Sequence, residues 1–273
     1  MFAEYLENLR RQKPLIHNIT NYVTVNDCAN ILLACGASPI MADDPAEAAE
    51  ITALSKGLTL NIGTLHQATI PAMLEAGRKA NELRHPVILD PVGTGSSAMR
   101  TQTALQLIQT IRFAAIRGNL SEIKALALGS GNAGGVDACE ADRITEENLD
   151  AVVGFIKNFS SRNGAVIAVT GAIDIVADRE CAFCIRNGHP MMRSITGTGC
   201  QLSCLTTAFV AANPEQPLKA AAAAVCAMGI CGELAYKRLG PVDGNATYRN
   251  YIIDAVYRLT SGQLEENANY EVR

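Results

Sequence analysis

The chain has 273 residues, 48% of them hydrophobic and 18% charged, so it is long and apolar enough to bury a large α/β core. The net charge of −4 and the lack of a long basic run argue against a nucleic-acid-binding protein, which needs clustered Lys and Arg. The charged N-terminus lacks the apolar core of a secretion signal, and the most apolar stretch, residues 220–230, is shorter than the roughly 20 residues of a membrane span. We therefore expect a cytoplasmic protein.

Apolar runs of strand length alternate with longer helical patterns along the chain. Strands are predicted over residues 58–62, 87–89, 113–116 and 165–169, and helices over residues 27–35, 69–83, 145–159, 201–212, 217–239 and 254–260. Residues 173–177 and 181–186 predict a local hairpin. Continuous apolar strands between helices are typical of a doubly wound, mostly parallel sheet with helices on both faces. No linker divides the chain, so we predict one domain over residues 1–273.

The cysteine usage indicates reduced thiols. An odd number, nine, is spread over a long chain, mostly within apolar segments: Cys28, Cys35, Cys139, Cys181, Cys184, Cys200, Cys204, Cys226 and Cys231. Cys181 and Cys184 form a lone pair with no second pair at a suitable spacing, which argues against a zinc site.

Polar residues follow the predicted strands, and these positions are where a ligand is expected. In open α/β sheets the ligand binds beyond the carboxyl ends of the strands. Asp90, Arg117, Glu122 and Thr170 stand in such positions. Each also has a plain structural interpretation, as a turn residue, a salt-bridge partner, a solvated helix residue or a hydroxyl that closes a turn.

A glycine-rich segment, Thr196-Gly197-Thr198-Gly199-Cys200, stands directly before a helical pattern. The first N–H groups of a helix have no internal partner and can bind phosphate oxygens, although glycines before a helix also occur for turn geometry alone. The segment lacks the Gly-Lys-Ser/Thr ending of a Walker A loop. At a helix N-terminus the dipole would favour the thiolate of Cys200 and lower its pKa, whereas the alternative is a buried structural cysteine.

Several motifs together resemble the hydroxyethylthiazole kinase family. Residues 17–23 (HNITNYV), Ala29-Asn30 and residues 36–42 (GASPIMA) are similar to the family's N-terminal motif. Residues 90–93 (DPVG), 117–122 (RGNLSE) and 196–200 (TGTGC) are similar to its later motifs, in the same order. The resemblance covers roughly residues 15 to 260.

The resemblance implies a ribokinase-like fold and ATP-dependent phosphorylation of 4-methyl-5-(2-hydroxyethyl)thiazole, a salvage step of thiamine biosynthesis. It also implies a homotrimer with active sites between subunits. Individual roles are carried over at matching positions: substrate contacts at Met41 and Gly197, ATP contacts at Arg117 and Thr170, an anion loop at Gly197, Thr198 and Gly199, magnesium at Asp90 and Glu122, and catalysis at Cys200.

On this basis Cys200 is expected to orient the acceptor alcohol and to take its proton late in the transfer. Met41 would pack against the heterocycle, although Met more often serves in ordinary core packing. The sequence leaves three other functional hypotheses open. They are a ribokinase-like kinase of a pyrimidine, pyridoxal or sugar alcohol, a non-catalytic sensor of thiazole or nucleotide, and a cysteine-nucleophile acyl enzyme. The last would need a histidine beside Cys200.

Overall fold

The computed structural model describes residues 1–129 and 143–273, which are built around a nine-stranded sheet. The strands are β1 (Leu15–Ile19), β2 (Ser38–Met41), β3 (Gly57–Asn61), β4 (Val87–Asp90), β5 (Ala115–Asn119), β6 (Val166–Thr170), β7 (Asp174–Ala177), β8 (Ala182–Ile185) and β9 (Tyr270–Val272). They lie in the order β2-β1-β3-β4-β5-β6-β7-β8-β9. The first six strands pair in parallel and the last three add antiparallel.

Helices cover both faces of this sheet, as the predicted doubly wound, mostly parallel class requires. They are α1 (Ala3–Gln12), α2 (Val25–Cys35), α3 (Ala48–Leu54), α4 (Thr69–Glu82), α5 (Ala98–Thr110), α6 (Leu120–Leu128), α7 (Leu149–Asn163), α8 (Thr198–Ala212), α9 (Pro217–Arg238), α10 (Asn245–Arg258) and α11 (Ser261–Asn267). A short 3-10 turn, Pro190–Ser194, leads towards α8.

Two buried clusters form the core, one on each face of the sheet. Along β4, Ile88 belongs to the cluster with α1, α2, α8, α9 and α10, whereas Val87 and Leu89 belong to the cluster with α4 to α7. Side chains alternate between faces in a strand, so a strand with apolar residues at every position must be covered on both sides. This explains the continuous apolar runs in the sequence.

Helix α9 is almost entirely buried. Within the described part of the chain it is the one helix long and apolar enough to cross a membrane, yet 78% of its apolar window is buried inside the protein. Alanine side chains at residues 220–224 let it approach α8 and the sheet closely. The length and hydropathy of α9 therefore reflect a core position.

Most predicted elements are confirmed within a few residues, with two clear errors. The predicted strand 113–116 is β5, which begins later and runs on through Arg117, Gly118 and Asn119, because these residues pair with Ala168, Val169 and Thr170 of β6. The predicted last helix, 254–260, covers only the end of α10, which begins at Asn245. The leucine at 259 leaves the helical region, and Thr260 caps α11 instead.

The predicted reduced thiols agree with the structure. All eight described cysteines are free, and Cys139 lies outside the described residues. Cys184 is buried in β8, and Cys181 precedes that strand.

Candidate active site

The predicted site residues other than Met41 converge where the parallel strands end. Asp90 is the last residue of β4, Thr170 is the last of β6, and Arg117 lies near the end of β5. The N-terminus of α8 lies over this edge and presents Cys200 in its first turn. Parallel strands in register place their carboxyl ends side by side, so residues distant in sequence meet here.

The two glycines before and within α8 are required by neighbouring protein side chains. Gly197 has a left-handed backbone with φ of 87°, and an added Cβ would lie 2.4 Å from Thr24. At Gly199 an added Cβ would lie 2.5 Å from the guanidinium of Arg117. The missing side chains therefore let Thr24 and Arg117 pack against the turn. Gly197 caps α8 without a side-chain hydrogen bond, which leaves the first N–H groups of the helix available to an anion.

Asp90 is fully buried, and its two carboxylate oxygens differ. Oδ2 accepts hydrogen bonds from Asn61 Nδ2 at 2.7 Å and from Ser203 Oγ at 2.8 Å. Oδ1 has no hydrogen-bond partner and lies 3.7 Å from Arg117 Nη1. Burial raises the pKa of Asp90, while Arg117, Ser203 and Asn61 oppose that rise. An unpaired buried carboxylate oxygen facing a cation is a free ligand position.

Arg117 is held in place by one strong contact. Its Nη2 donates to Thr170 Oγ1 at 2.6 Å, whereas its Nε is buried without a partner. The guanidinium thus lies between Asp90 on one side and Gly199 of α8 on the other. Its remaining donors suit an anion at the N-terminus of the helix.

Glu122 is 5% exposed, so the interpretation as a solvated helix residue is wrong. Its Oε1 accepts from the backbone N–H of Gly93 at 2.8 Å, and its Oε2 accepts from that of Asn119 at 2.8 Å. With Asn119 it forms the capping box that begins α6. Burial, followed by the charge of Asp90, raises the pKa of Glu122. One oxygen thus holds the loop after β4, and the other caps the start of α6.

The thiol of Cys200 is buried, and the expectation of a lowered pKa is wrong. Burial and the charge of Asp90 raise the pKa of Cys200 to about 11, which outweighs any favourable effect of the helix N-terminus. The thiol is therefore neutral near pH 7 and cannot itself accept a proton in that state. Its sulfur accepts hydrogen bonds from Asn21 Nδ2 at 3.1 Å and Asn61 Nδ2 at 3.2 Å.

Asn61 is a site residue without a predicted role, although its sequence position carries a signal. Asn61 is an amide within the apolar run 58–62, at the end of β3. It is 2% exposed and touches both Asp90 and Cys200. Asn61 ends a buried parallel strand in the same way as Asp90, so its position indicates the ligand-binding edge of the sheet.

Arg100 of α5 was also missed. Its Nη1 donates to the carbonyl oxygens of Ile62 and Val92 at 2.9 Å and 2.8 Å, and its Nη2 donates to that of Gly63. These carbonyls belong to the loops after β3 and β4. Arg100 therefore ties together the two loops that follow Asn61 and Asp90.

Met41 lies apart from this cluster, at the end of edge strand β2, where it packs against the core cluster of α2 and α8. The cleft next to Asn61 is lined instead by residues that include Tyr22, Asp43 and His66. The rings of Tyr22 and His66 stack 6.0 Å apart at its mouth. This cleft is a concave surface beside Asn61, whose amide donates to the Cys200 sulfur.

The residues present fit a magnesium ion that takes most of its ligands from phosphate and water. Asp90 Oδ1 is a hard oxygen donor without a partner. Within residues 1–129 and 143–273 no three His, Cys, Asp or Glu side chains converge to form a complete metal cage. Glu122, whose oxygens both accept backbone N–H groups, is suited to an outer position.

Comparisons with known proteins identify the family of this chain. The model of the hydroxyethylthiazole kinase family matches residues 6–262. A hydroxyethylthiazole kinase of Clostridium acetobutylicum is 60% identical over 271 residues, covering 99% of both chains. The chain belongs to the hydroxyethylthiazole kinase family. As a member of that family it is a phosphotransferase.

Solved structures place this hydroxyethylthiazole kinase family member in the ribokinase-like fold. A hydroxyethylthiazole kinase from Pyrococcus horikoshii has a TM-score of 0.88 and 34% identity, covering 100% of this chain and 98% of the other. A pyridoxal kinase from Staphylococcus aureus has a TM-score of 0.61 at 13% identity, covering 95% and 97%, which supports the fold alone. The predicted fold class is therefore confirmed.

The cysteine-nucleophile alternative finds no support in the geometry. In the described part of the chain Cys200 is hydrogen-bonded by the amides of Asn21 and Asn61 and by the side chain of Thr24, and no histidine bonds it. His17 instead bonds to Thr52 and to the carbonyl of Ala42 in the core. A neutral thiol without a base is a poor nucleophile.

Proposed function

We propose that this chain, as a single kinase domain, transfers the γ-phosphoryl group of ATP to the hydroxyl of 4-methyl-5-(2-hydroxyethyl)thiazole. The product is the thiazole phosphate used in thiamine salvage and biosynthesis. One observation carries the proposal: in a member of the hydroxyethylthiazole kinase family, Asp90, Arg117 and the free amides of α8 meet at one edge of the sheet. Phosphoryl transfer depends on such positioning and charge neutralisation more than on covalent chemistry.

The nucleotide phosphates are bound on the Arg117 side. Arg117, oriented by Thr170, would pair with phosphate oxygens, while the N–H groups of Thr198, Gly199 and Cys200 meet the transferred group. Asp90, with Glu122 in an outer position, would hold Mg²⁺, which when bound neutralises charge on the phosphates. Fixed donors at this edge stabilise the charge that develops as the group moves.

The acceptor is bound on the Asn61 side, in the cleft lined by Tyr22 and His66. Because Cys200 is neutral, its role is to orient the acceptor hydroxyl through hydrogen bonding rather than to ionise first. As the new O–P bond forms and the bond to ADP breaks, the hydroxyl proton passes to an oxygen of the transferred phosphoryl group. Met41, at the end of edge strand β2, remains a proposed contact to the thiazole ring. The role of Gly197 is to let the backbone of the first turn of α8 approach the substrate.

We further propose a cytoplasmic homotrimer whose active sites lie between subunits. Exposed apolar side chains occur in the segments just before and after edge strand β2: Tyr22 is 69% exposed, Val23 57%, Leu33 56% and Leu54 68%. Exposed apolar residues in segments that flank a sheet edge favour a protein interface. Light scattering of the purified chain tests this, since a monomeric mass at micromolar concentration contradicts it.

A coupled ADP-release assay over a panel of alcohols tests the proposed reaction. The panel contains the hydroxyethylthiazole, a hydroxymethylpyrimidine and pyridoxal, each with saturating Mg-ATP. The thiazole is expected to give the highest kcat/KM by at least about tenfold, a difference of 1.4 kcal/mol in transition-state binding. A higher value with the pyrimidine or pyridoxal would assign the chain to another ribokinase-like activity.

A further inference from the structure

The buried amide of Asn61 joins the two halves of the site. Its Nδ2 donates to Asp90 Oδ2 at 2.7 Å and to Cys200 Sγ at 3.2 Å, and its Oδ1 accepts from Gly63 N–H at 2.8 Å and from Asn21 Nδ2 at 3.1 Å. All of its hydrogen-bonding capacity towards the site is therefore used. A buried amide with this many partners has one orientation.

Backbone donors fix the orientation of both amides. The N–H of Gly63 must donate to an oxygen, which assigns Asn61 Oδ1 and turns its Nδ2 towards the carboxylate and the sulfur. Likewise Thr24 N–H donates to Asn21 Oδ1 at 3.1 Å, which turns Asn21 Nδ2 towards Cys200. Two amide N–H groups thus converge on the sulfur.

The packing around Gly63 supports the same conclusion independently. An added Cβ at Gly63 would lie 2.9 Å from Asn21 Nδ2 and 2.9 Å from Asn61 Oδ1. The left-handed region plays no part at this position, so the close approach of the two amides is what requires glycine here. Arg100 holds the carbonyl of the same residue from the other side.

We propose that Asn61 is a positioning residue that sets the geometry of the Cys200 sulfur relative to Asp90. With both N–H donors aimed at the sulfur, the S–H bond of Cys200 points away from the amides and towards the open acceptor side. One side chain thereby sets the alignment of the acceptor hydroxyl with the phosphoryl group held beside Asp90. This inference rests on the proposed function for its kinetic consequence, and on hydrogen-bond geometry alone for its effect on the thiol.

The kinetic test is a double-mutant cycle of Asn61→Leu and Cys200→Ala. Alone, Asn61→Leu is expected to lower kcat about 50-fold, with KM for ATP changed less than threefold, because misalignment affects the transition state more than binding. In the Cys200→Ala background the same change should lower kcat less than tenfold, because its target sulfur is gone. Equal factors in both backgrounds, or a raised KM with unchanged kcat, would overturn the proposal.

Asn81→Leu is the matched control. Asn81 also bonds a backbone N–H and a carbonyl, both of Arg112, but lies at the end of α4, away from the site. Its loss should leave kcat within twofold. Gly63→Ala serves if Asn61→Leu fails to fold: the crowded amides should lower kcat at least fivefold, and an unchanged kcat contradicts the proposal.

The thiol test does not depend on turnover. Alkylation of Cys200 by iodoacetamide at pH 8.5, followed peptide by peptide in a mass spectrometer, should slow at least fivefold in Asn61→Leu, because the N–H donors stabilise the reacting thiolate. An unchanged or faster rate relative to Asn81→Leu overturns the inference. The two proposals can fail separately. If wild-type protein turns over no thiazole alcohol but Cys200 is still alkylated more slowly in Asn61→Leu, the proposed function is refuted and the role of Asn61 is supported.

Discussion

Asp90, at the end of β4, and Glu122, in the first turn of α6, are two buried carboxylates near the same edge of the sheet. Their surroundings leave them with different numbers of oxygens free to bind a ligand. Both have raised pKa values caused chiefly by burial. Glu122 spends both oxygens on backbone N–H groups, whereas Asp90 keeps Oδ1 without a partner beside Arg117. Burial and acidity alone therefore do not identify a ligand. A carboxylate whose oxygens all accept hydrogen bonds from the protein stabilises the site, whereas one with an oxygen that has no partner can bind a ligand.

The largest effect is expected from Asp90→Asn. The amide oxygen can still accept from Asn61 and Ser203, so the fold should survive, but the charge and the free oxygen are lost. We expect kcat to fall about 100- to 1,000-fold, as for removal of other electrostatic groups from active sites. Steady-state ADP release together with thermal melting checks this. If the variant keeps a tenth of the activity, Asp90 does not differ from Glu122 in the way described.

Gly199→Ala should act through the cation that faces Asp90. The new methyl group would displace the Arg117 guanidinium, 2.5 Å away, without disturbing a residue that is already helical. We expect KM for ATP to rise about tenfold, equivalent to one weakened charge-assisted hydrogen bond, with no loss of melting temperature.

Gly154→Ala in α7 is the matched control, because nothing lies within 4 Å of its added Cβ. If both glycine variants give the same KM, Arg117 does not bind the nucleotide as proposed.

Glu122→Gln should mainly affect stability. One of its oxygens becomes an NH₂ group facing a backbone N–H of Gly93 or Asn119. A lost buried hydrogen bond of this kind costs about 1–3 kcal/mol, and kcat should fall less than fivefold. Glu75→Gln, on the surface of α4, controls for the change in charge. A loss of kcat as large as that of Asp90→Asn would mean that Glu122 takes part directly.

The smallest effect is expected from Asp174→Asn at the start of β7. Burial raises the pKa of Asp174 to about 6, against the N–H of Gly171 and the charge of Arg117. Between pH 4 and 6 the folded state therefore binds more protons than the unfolded state, so wild-type stability falls as pH rises through this window.

The asparagine variant lacks this titration but keeps an oxygen for Gly171 N–H. Its melting temperature relative to wild type should therefore increase from pH 4 to pH 6 and then stay constant. A difference that does not vary with pH would contradict the raised pKa.

The sheet and the ligand edge were predictable because they follow from local patterns. Apolar runs of three to five residues between helices are buried in a sheet, and the polar residues that end them must lie at one edge, which located Asp90, Arg117 and Thr170. The first two strands were not predicted as strands, since His17 and Asn18 break the apolar pattern of β1 and β2 is a half-exposed edge. The side chains of His17 and Asn18 form buried hydrogen bonds, and no local sequence pattern indicates these bonds.

Partner-dependent properties were not predictable. The pKa of Cys200 depends on burial and on Asp90, 110 positions earlier in the chain, while position in the helix alone suggested the opposite shift. Glycine at 199 also accommodates the guanidinium of Arg117, a packing role that no local pattern shows. Asn61 and Arg100 acquire their roles only when the loops after β3 and β4 are brought together.

The most direct test of the central claim is a mass-spectrometric assay of the phosphorylated product. Wild-type protein and Asp90→Asn are incubated with Mg-ATP and the hydroxyethylthiazole, and the thiazole monophosphate is quantified over time. Wild type should form the monophosphate with one ADP per product, and folded Asp90→Asn should form it at least about 100-fold more slowly. No thiazole phosphate from wild type, or equal rates from the two proteins, would contradict the account.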